Sequence, residues 1–174
     1  MRAWLETGAV TIEFHPIAVF SSKIADTKYS ARAANAAACV AEYSPDTFYA
    51  FHEALFANQP DENSSGLSDE ELIGTAKSAG VERMTDVTTC IETGRFRGWV
   101  AAATERAVQG PLVGTDVPGV QSTPTIVVNG QEFAYTTAFD PNEFAQFVAR
   151  AAGQSFSENP QPTPTPTPTE TPAP

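Results

Sequence analysis

The chain has 174 residues, 41% of them hydrophobic, with 21 acidic against 10 basic side chains and a formal net charge of -11. That surplus of negative charge repels phosphate backbones and anionic headgroups, so nucleic acid is not an expected partner. The Ala31 to Ala41 stretch is interrupted by Arg32 and Asn35 and falls short of the roughly eighteen apolar residues of a membrane span. Met1 to Gly8 has neither an apolar h-region nor a small-residue cleavage site, so no secretory signal is expected in these residues.

In chain order, Ala3-Trp4-Leu5 followed by Gly8 reads as the last turn of a helix with a glycine stop, so the chain is expected to begin in mid-element. Val10, Ile12 and Phe14 alternate with Thr11, Glu13 and His15, the period-two pattern of a half-buried strand closing at Pro16. Ser30 to Tyr43 is rich in alanine and predicts a helix. Ser44-Pro45 then supplies the cap and first-position proline of another, whose Phe48, Phe51, Leu55 and Phe56 form a core-facing stripe.

Asn58 to Gly66 is a polar loop. Ser68 and Glu71 have capping-box spacing ahead of Leu72, Ile73 and Ala76, with Gly80 as the stop. Val87, Cys90 and Ile91 share the face of a further helix ending at Gly94, and Phe96, Trp99, Val100, Ala103 and Ala107 mark the next, ending near Gly110. Thr125 to Val128 then predicts a buried strand, Asn129-Gly130 a type I′ turn, and Gln131 to Tyr135 the hairpin partner. Asp140-Pro141 with Glu143 opens a helix carrying Phe144, Phe147, Val148 and Ala151 and stopping at Gly153. From Asn159 the chain alternates proline and threonine without a large apolar residue, and an extended, polyproline-like tail acting as a spacer is expected.

Chemistry-bearing residues are few. Cys39 and Cys90 are too far apart for a Cys-x-x-C pair and lack the clustered ligands of a zinc site; two buried thiols and one structural disulfide stand as equal alternatives. His15 and His52 neighbour no serine, cysteine or carboxylate cluster and read as partly exposed structural residues. Asn63-Ser64-Ser65 has the form of a glycosylation sequon within a polar loop. No metal and no cofactor is expected.

A strand, a helical block, then Gly119-Val120-Gln121-Ser122-Thr123-Pro124-Thr125-Ile126-Val127-Val128-Asn129-Gly130 and a capped helix is an order that resembles the DsbA family of thioredoxin-fold oxidoreductases. Glu13-Phe14-His15-Pro16-Ile17-Ala18, the Ala33 to Ala41 string and Phe51-His52 with Ala54-Leu55-Phe56 are most similar to the extracytoplasmic DsbA-like proteins of actinobacteria. The resemblance runs from about Met1 to about Gly153. It implies an α/β thioredoxin-like fold with an inserted helical domain, lacking the first strand and the active-site helix. The implied parts are a partial thioredoxin core over 1–28, the helical insert over 29–110, the core hairpin and last helix over 111–153, and the tail over 154–174.

In that family the peptide bond before the matching proline is cis and sits beside the redox cysteines, so the resemblance makes Ser122, Thr123 and Pro124 a substrate-binding loop where an extended polypeptide pairs as an added strand. It also implies that Cys39 and Cys90 form a structural disulfide. The family's Cys-x-x-C precedes the Val10 strand and would fall before Met1, so no catalytic residue is assigned. As a fragment the chain is expected to be inactive in thiol–disulfide exchange. The family's partners are unfolded polypeptides and a membrane redox protein, and its location is the cell envelope or outside. Two alternatives stand beside an oxidoreductase whose reading frame starts downstream of its active site: a non-catalytic thioredoxin-like binding module, and a relative of the kappa-class glutathione transferases.

Overall fold

The structure is a computed structural model that describes residues 2–19, 28–61, 64–134 and 140–158. The chain divides into two compact units, Met1–Val108 and Gln109–Pro174.

The first unit opens with a short helix, α1 (Arg2–Glu6), closed by Thr7 and Gly8 N–H groups that donate back to the Ala3 and Leu5 carbonyls. Exposure then alternates, with Val10, Ile12 and Phe14 partly buried and Thr11, Glu13 and His15 exposed. The strand expected here is nevertheless not formed. A strand exists only through a ladder to a neighbour, and among the described residues the only sheet is a hairpin in the second unit. This segment is tied down instead by the Ala18 N–H, which donates to Thr104 Oγ1 at 2.9 Å.

Five α-helices follow: α2 (Tyr29–Tyr43), α3 (Phe48–Ala57), α4 (Asp69–Ser78), α5 (Met84–Thr93) and α6 (Arg97–Gln109). Alanines enter a helix with no loss of side-chain freedom, and on α2 they also leave room for close approach of its neighbours. The core is made where Ala36, Cys39 and Val40 of α2 meet Phe51 of α3, Leu72 and Ala76 of α4, and Val87, Cys90 and Ile91 of α5. Each large side chain removed from water there contributes roughly 1.5–3 kcal/mol.

The capping box forms as its spacing requires. Ser68 Oγ accepts the Glu71 N–H at 3.2 Å and Glu71 Oε2 accepts the Ser68 N–H at 2.7 Å, an arrangement worth about 1 kcal/mol. Ser44 does not cap α3. Pro45–Thr47 winds as a 3-10 turn, so α3 starts at Phe48, and the Ser44 hydroxyl accepts the Arg83 N–H at 3.3 Å, joining the end of α2 to the start of α5. Nor is the aromatic stripe of α3 wholly core: Phe51 is fully buried but Phe56 is 64% exposed. At about 100° per residue the two lie about 140° apart around the helix, more than one packed face covers. Trp99 is likewise half-exposed beside the buried Val100.

In the second unit, β1 (Val127–Val128) and β2 (Gln131–Glu132) pair antiparallel, Val127 opposite Glu132 and Val128 opposite Gln131. Asn129 at φ 48° and Gly130 at φ 84° give the two positive values of a type I′ turn. A Cβ at Gly130 would also meet the Gly114 carbonyl oxygen at 2.9 Å, so the position needs glycine twice over. The hairpin is shorter than expected. The Phe133 N–H still reaches the Ile126 carbonyl at 2.8 Å, but the outer edge is taken by Asp116, whose N–H donates to the Gly130 carbonyl and whose carboxylate accepts the Glu132 N–H at 2.9 Å. Tyr135 lies outside the described residues.

The last helix, α7 (Pro141–Glu158), begins where Asp140 Oδ1 accepts the Asn142 N–H at 2.8 Å. It runs through Gly153, which was expected to stop it. Glycine permits a left-handed exit but does not compel one, and its penalty inside a helix is only about 1 kcal/mol relative to alanine. The Phe133 ring lies 5.2 Å from both Phe144 and Phe147, and Val117, Phe133, Phe144 and Ala151 are the buried apolar residues among the described residues of the unit. The Pro/Thr tail lies outside the described residues.

Candidate polypeptide-binding site

The loop leading into β1 is shaped by its own backbone. The Gly110–Pro111 and Thr123–Pro124 peptide bonds are cis. Gly110 has φ 50°, and a Cβ there would lie 1.9 Å from the Pro118 carbonyl oxygen, so only glycine fits. The Leu112 N–H donates to the Val117 carbonyl at 3.0 Å and Thr115 Oγ1 to the Leu112 carbonyl at 2.9 Å, which folds residues 111–118 on themselves. Beyond that knot Gln121, Ser122, Thr123 and Pro124 are all exposed. The Ser122 carbonyl accepts the Thr125 hydroxyl at 2.7 Å. Thr123 makes no hydrogen bond among the described residues, so its main-chain N–H and C=O stand open at the entry to β1. Open main-chain donors and acceptors are what an incoming polypeptide needs in order to pair as an added strand.

Cys39 and Cys90, in the first unit, are joined by a disulfide that links α2 to α5 across 51 positions, with Cα atoms 5.8 Å apart. Their residues are 0% and 3% exposed. Thiol–disulfide exchange needs an accessible thiolate and a neighbouring thiol to release the mixed disulfide, and this pair offers neither. One turn before Cys39, the buried Asn35 accepts the Phe96 N–H on Oδ1 at 2.8 Å, holding the chain just after α5 against α2.

His15 is exposed and lies 3.2 Å from a Glu13 carboxylate oxygen. His52 is half-buried among aromatic rings: Phe14 at 4.1 Å, Phe56 at 4.9 Å and Phe48 at 6.1 Å between centroids. Burial lowers its pKa from the ordinary histidine value, and the adjacent Glu53 carboxylate opposes that in part. No group of three metal-ligating side chains occurs among the described residues, and Asn63 of the sequon lies outside them.

One feature of the first unit was not anticipated. The Phe14 ring packs 5.8 Å from the Phe48 ring and 6.2 Å from the Tyr49 ring, and beside them runs an open groove of about 670 Å³ whose lining, among the described residues, also includes Ile12, Glu6 and Glu53. Reading the α3 aromatics as a single core stripe hides it. The signal is Tyr49 and Glu53, one turn apart on that helix, beside Phe48.

The thioredoxin family model matches residues 2–150, which covers the helical unit and the hairpin. The chain therefore belongs to the thioredoxin family, in a version that is mostly helical with one small two-stranded sheet among its described residues. No curated protein and no solved structure matches it.

Proposed function

We propose that the chain is a DsbA-like member of the thioredoxin family that holds extended polypeptide at Ser122, Thr123 and Pro124 during disulfide formation in exported proteins. Within its 174 residues it supplies recognition, and electron transfer falls to a dithiol other than Cys39 and Cys90. The observation that carries this reading is the open main chain of Thr123 at the entry to β1. Family membership supports the chemistry, and a structural disulfide suits an oxidising compartment such as the cell envelope, where a membrane redox protein would be the electron partner.

A second reading, a non-catalytic polypeptide-binding module, is favoured by the burial of both cysteines in one another. The two part on a simple fact: the first requires an in-frame Cys-x-x-C ahead of the Met1 codon and the second does not.

Both require binding at the loop. Titration of the isotope-labelled chain with a reduced, carboxymethylated polypeptide should shift the Ser122, Thr123 and Thr125 amide resonances first. Thr123→Pro, which removes the N–H, should weaken binding by up to about tenfold, the loss of one main-chain hydrogen bond. Shifts that avoid this loop would refute the assignment.

A further inference from the structure

Asn35, Cys39 and Tyr43 are spaced four apart on α2 and so lie in one row along the helix. Each is joined to the last turn of α5 or to the chain just beyond it. Cys39 is bonded to Cys90. Asn35 Oδ1 accepts the Phe96 N–H at 2.8 Å, and the Tyr43 hydroxyl accepts a guanidinium N–H of Arg95, whose Cζ lies 5.6 Å from the centre of the Tyr43 ring. The main-chain N–H of Arg95 donates to the Cys90 carbonyl at 3.1 Å. Arg95 and Phe96 therefore form a strap whose two attachments bracket Cys39 along α2, and the bonded cysteines are 0% and 3% exposed. They are the only cysteines of the chain, so no other thiol within it can carry an oxidising step, and a second folded copy presents the same closed pair.

We propose that the chain is itself a client of thiol oxidation, and that an external disulfide joins Cys39 to Cys90 before the Arg95–Phe96 strap closes on α2. One cysteine, having lost its proton, attacks a sulfur of the external disulfide, whose S–S bond breaks and expels a thiolate. The second cysteine gives its proton to solvent and attacks the mixed disulfide, forming the Cys39–Cys90 bond and expelling the other thiolate. The protein loses two electrons and two protons, and the external disulfide becomes two thiols. Both attacks need a second molecule at the sulfurs, which the closed core forbids. This order of events stands whether or not the Thr123 loop binds polypeptide.

The test uses the full chain, reduced with dithiothreitol in urea, freed of the reductant and given glutathione disulfide with or without urea. Maleimide labelling counts the remaining thiols, and far-UV circular dichroism follows the helices. Where the reduced chain regains its helices, oxidation should be at least about a hundredfold slower without urea than with it. Where it does not, oxidation should be equally fast in both, and the helices should return only as the bond forms. A helical reduced chain that oxidises as fast as the unfolded one would overturn the proposal. The strap has its own readout in the oxidised chain, because reduction passes through the same opening. Asn35→Ala should speed reduction by dithiothreitol about tenfold. Ser68→Ala, which removes the α4 cap at a similar cost in stability, should leave that rate nearly unchanged. Equal acceleration by the two changes would mean that the whole core opens at once, and would overturn the role of the strap.

Discussion

Cys39 on α2 and Cys90 on α5 lie with their Cα atoms 5.8 Å apart and their sulfurs bonded, at the centre of the helical core and out of reach of solvent. The bond closes a long loop and so restricts the unfolded chain, by about 4 kcal/mol in the chain-entropy treatment. Replacing both cysteines by alanine should lower the unfolding free energy by about 2–4 kcal/mol, read from the urea midpoint at unchanged slope. Because both residues are buried, dithiothreitol without denaturant should reduce the bond only as fast as the helical core opens. Rapid reduction under native conditions would contradict the burial.

Asn35→Ala should destabilise by about 1–2 kcal/mol, because the partly buried Phe96 N–H loses its acceptor. Hydrogen exchange at Phe96 should accelerate more than exchange in α4. Equal acceleration throughout would mean that the bond holds no particular segment.

His52 gives stability a pH dependence of defined sign. Its pKa is lowered in the folded chain, mainly by burial, so the unfolded chain takes up a proton first as pH falls. The contribution is complete above the unfolded value of about 6.5 and is lost as pH drops through that value toward the folded one. The charge acting on the ring is that of Glu53 on its own helix. Denaturation midpoints for the parent and for His52→Phe should therefore diverge as pH falls below about 6.5, the parent losing more. Parallel curves would remove His52 from the account.

Features set by neighbouring residues were legible in the sequence. The Ser68 and Glu71 capping box, the Gly94 helix stop and the Asn129-Gly130 turn each depend on a few consecutive positions, and all three form. What depended on distant partners was not. Val10 to Phe14 has the alternation of a strand, but a ladder needs a second chain segment, and alternation cannot say whether one is there. Ser44 looked like a helix cap because the residue that takes its hydroxyl, Arg83, is 39 positions away. The Cys39 to Cys90 bond was undecidable from spacing, and only a family resemblance favoured it. Of the candidate site, the Ser122 to Pro124 loop was marked out by motif. The groove was missed because α3 carries more aromatic surface than one core-facing stripe can use.

The central claim is that these residues recognise polypeptide while Cys39 and Cys90 exchange no electrons with it. Reactivation of scrambled ribonuclease by the purified 174-residue chain in a glutathione buffer tests this most directly. The account predicts a rate no greater than that of the buffer alone, unchanged by Cys39→Ser or Cys90→Ser. Turnover that either substitution abolishes would contradict it, since one of the buried cysteines would then be the nucleophile.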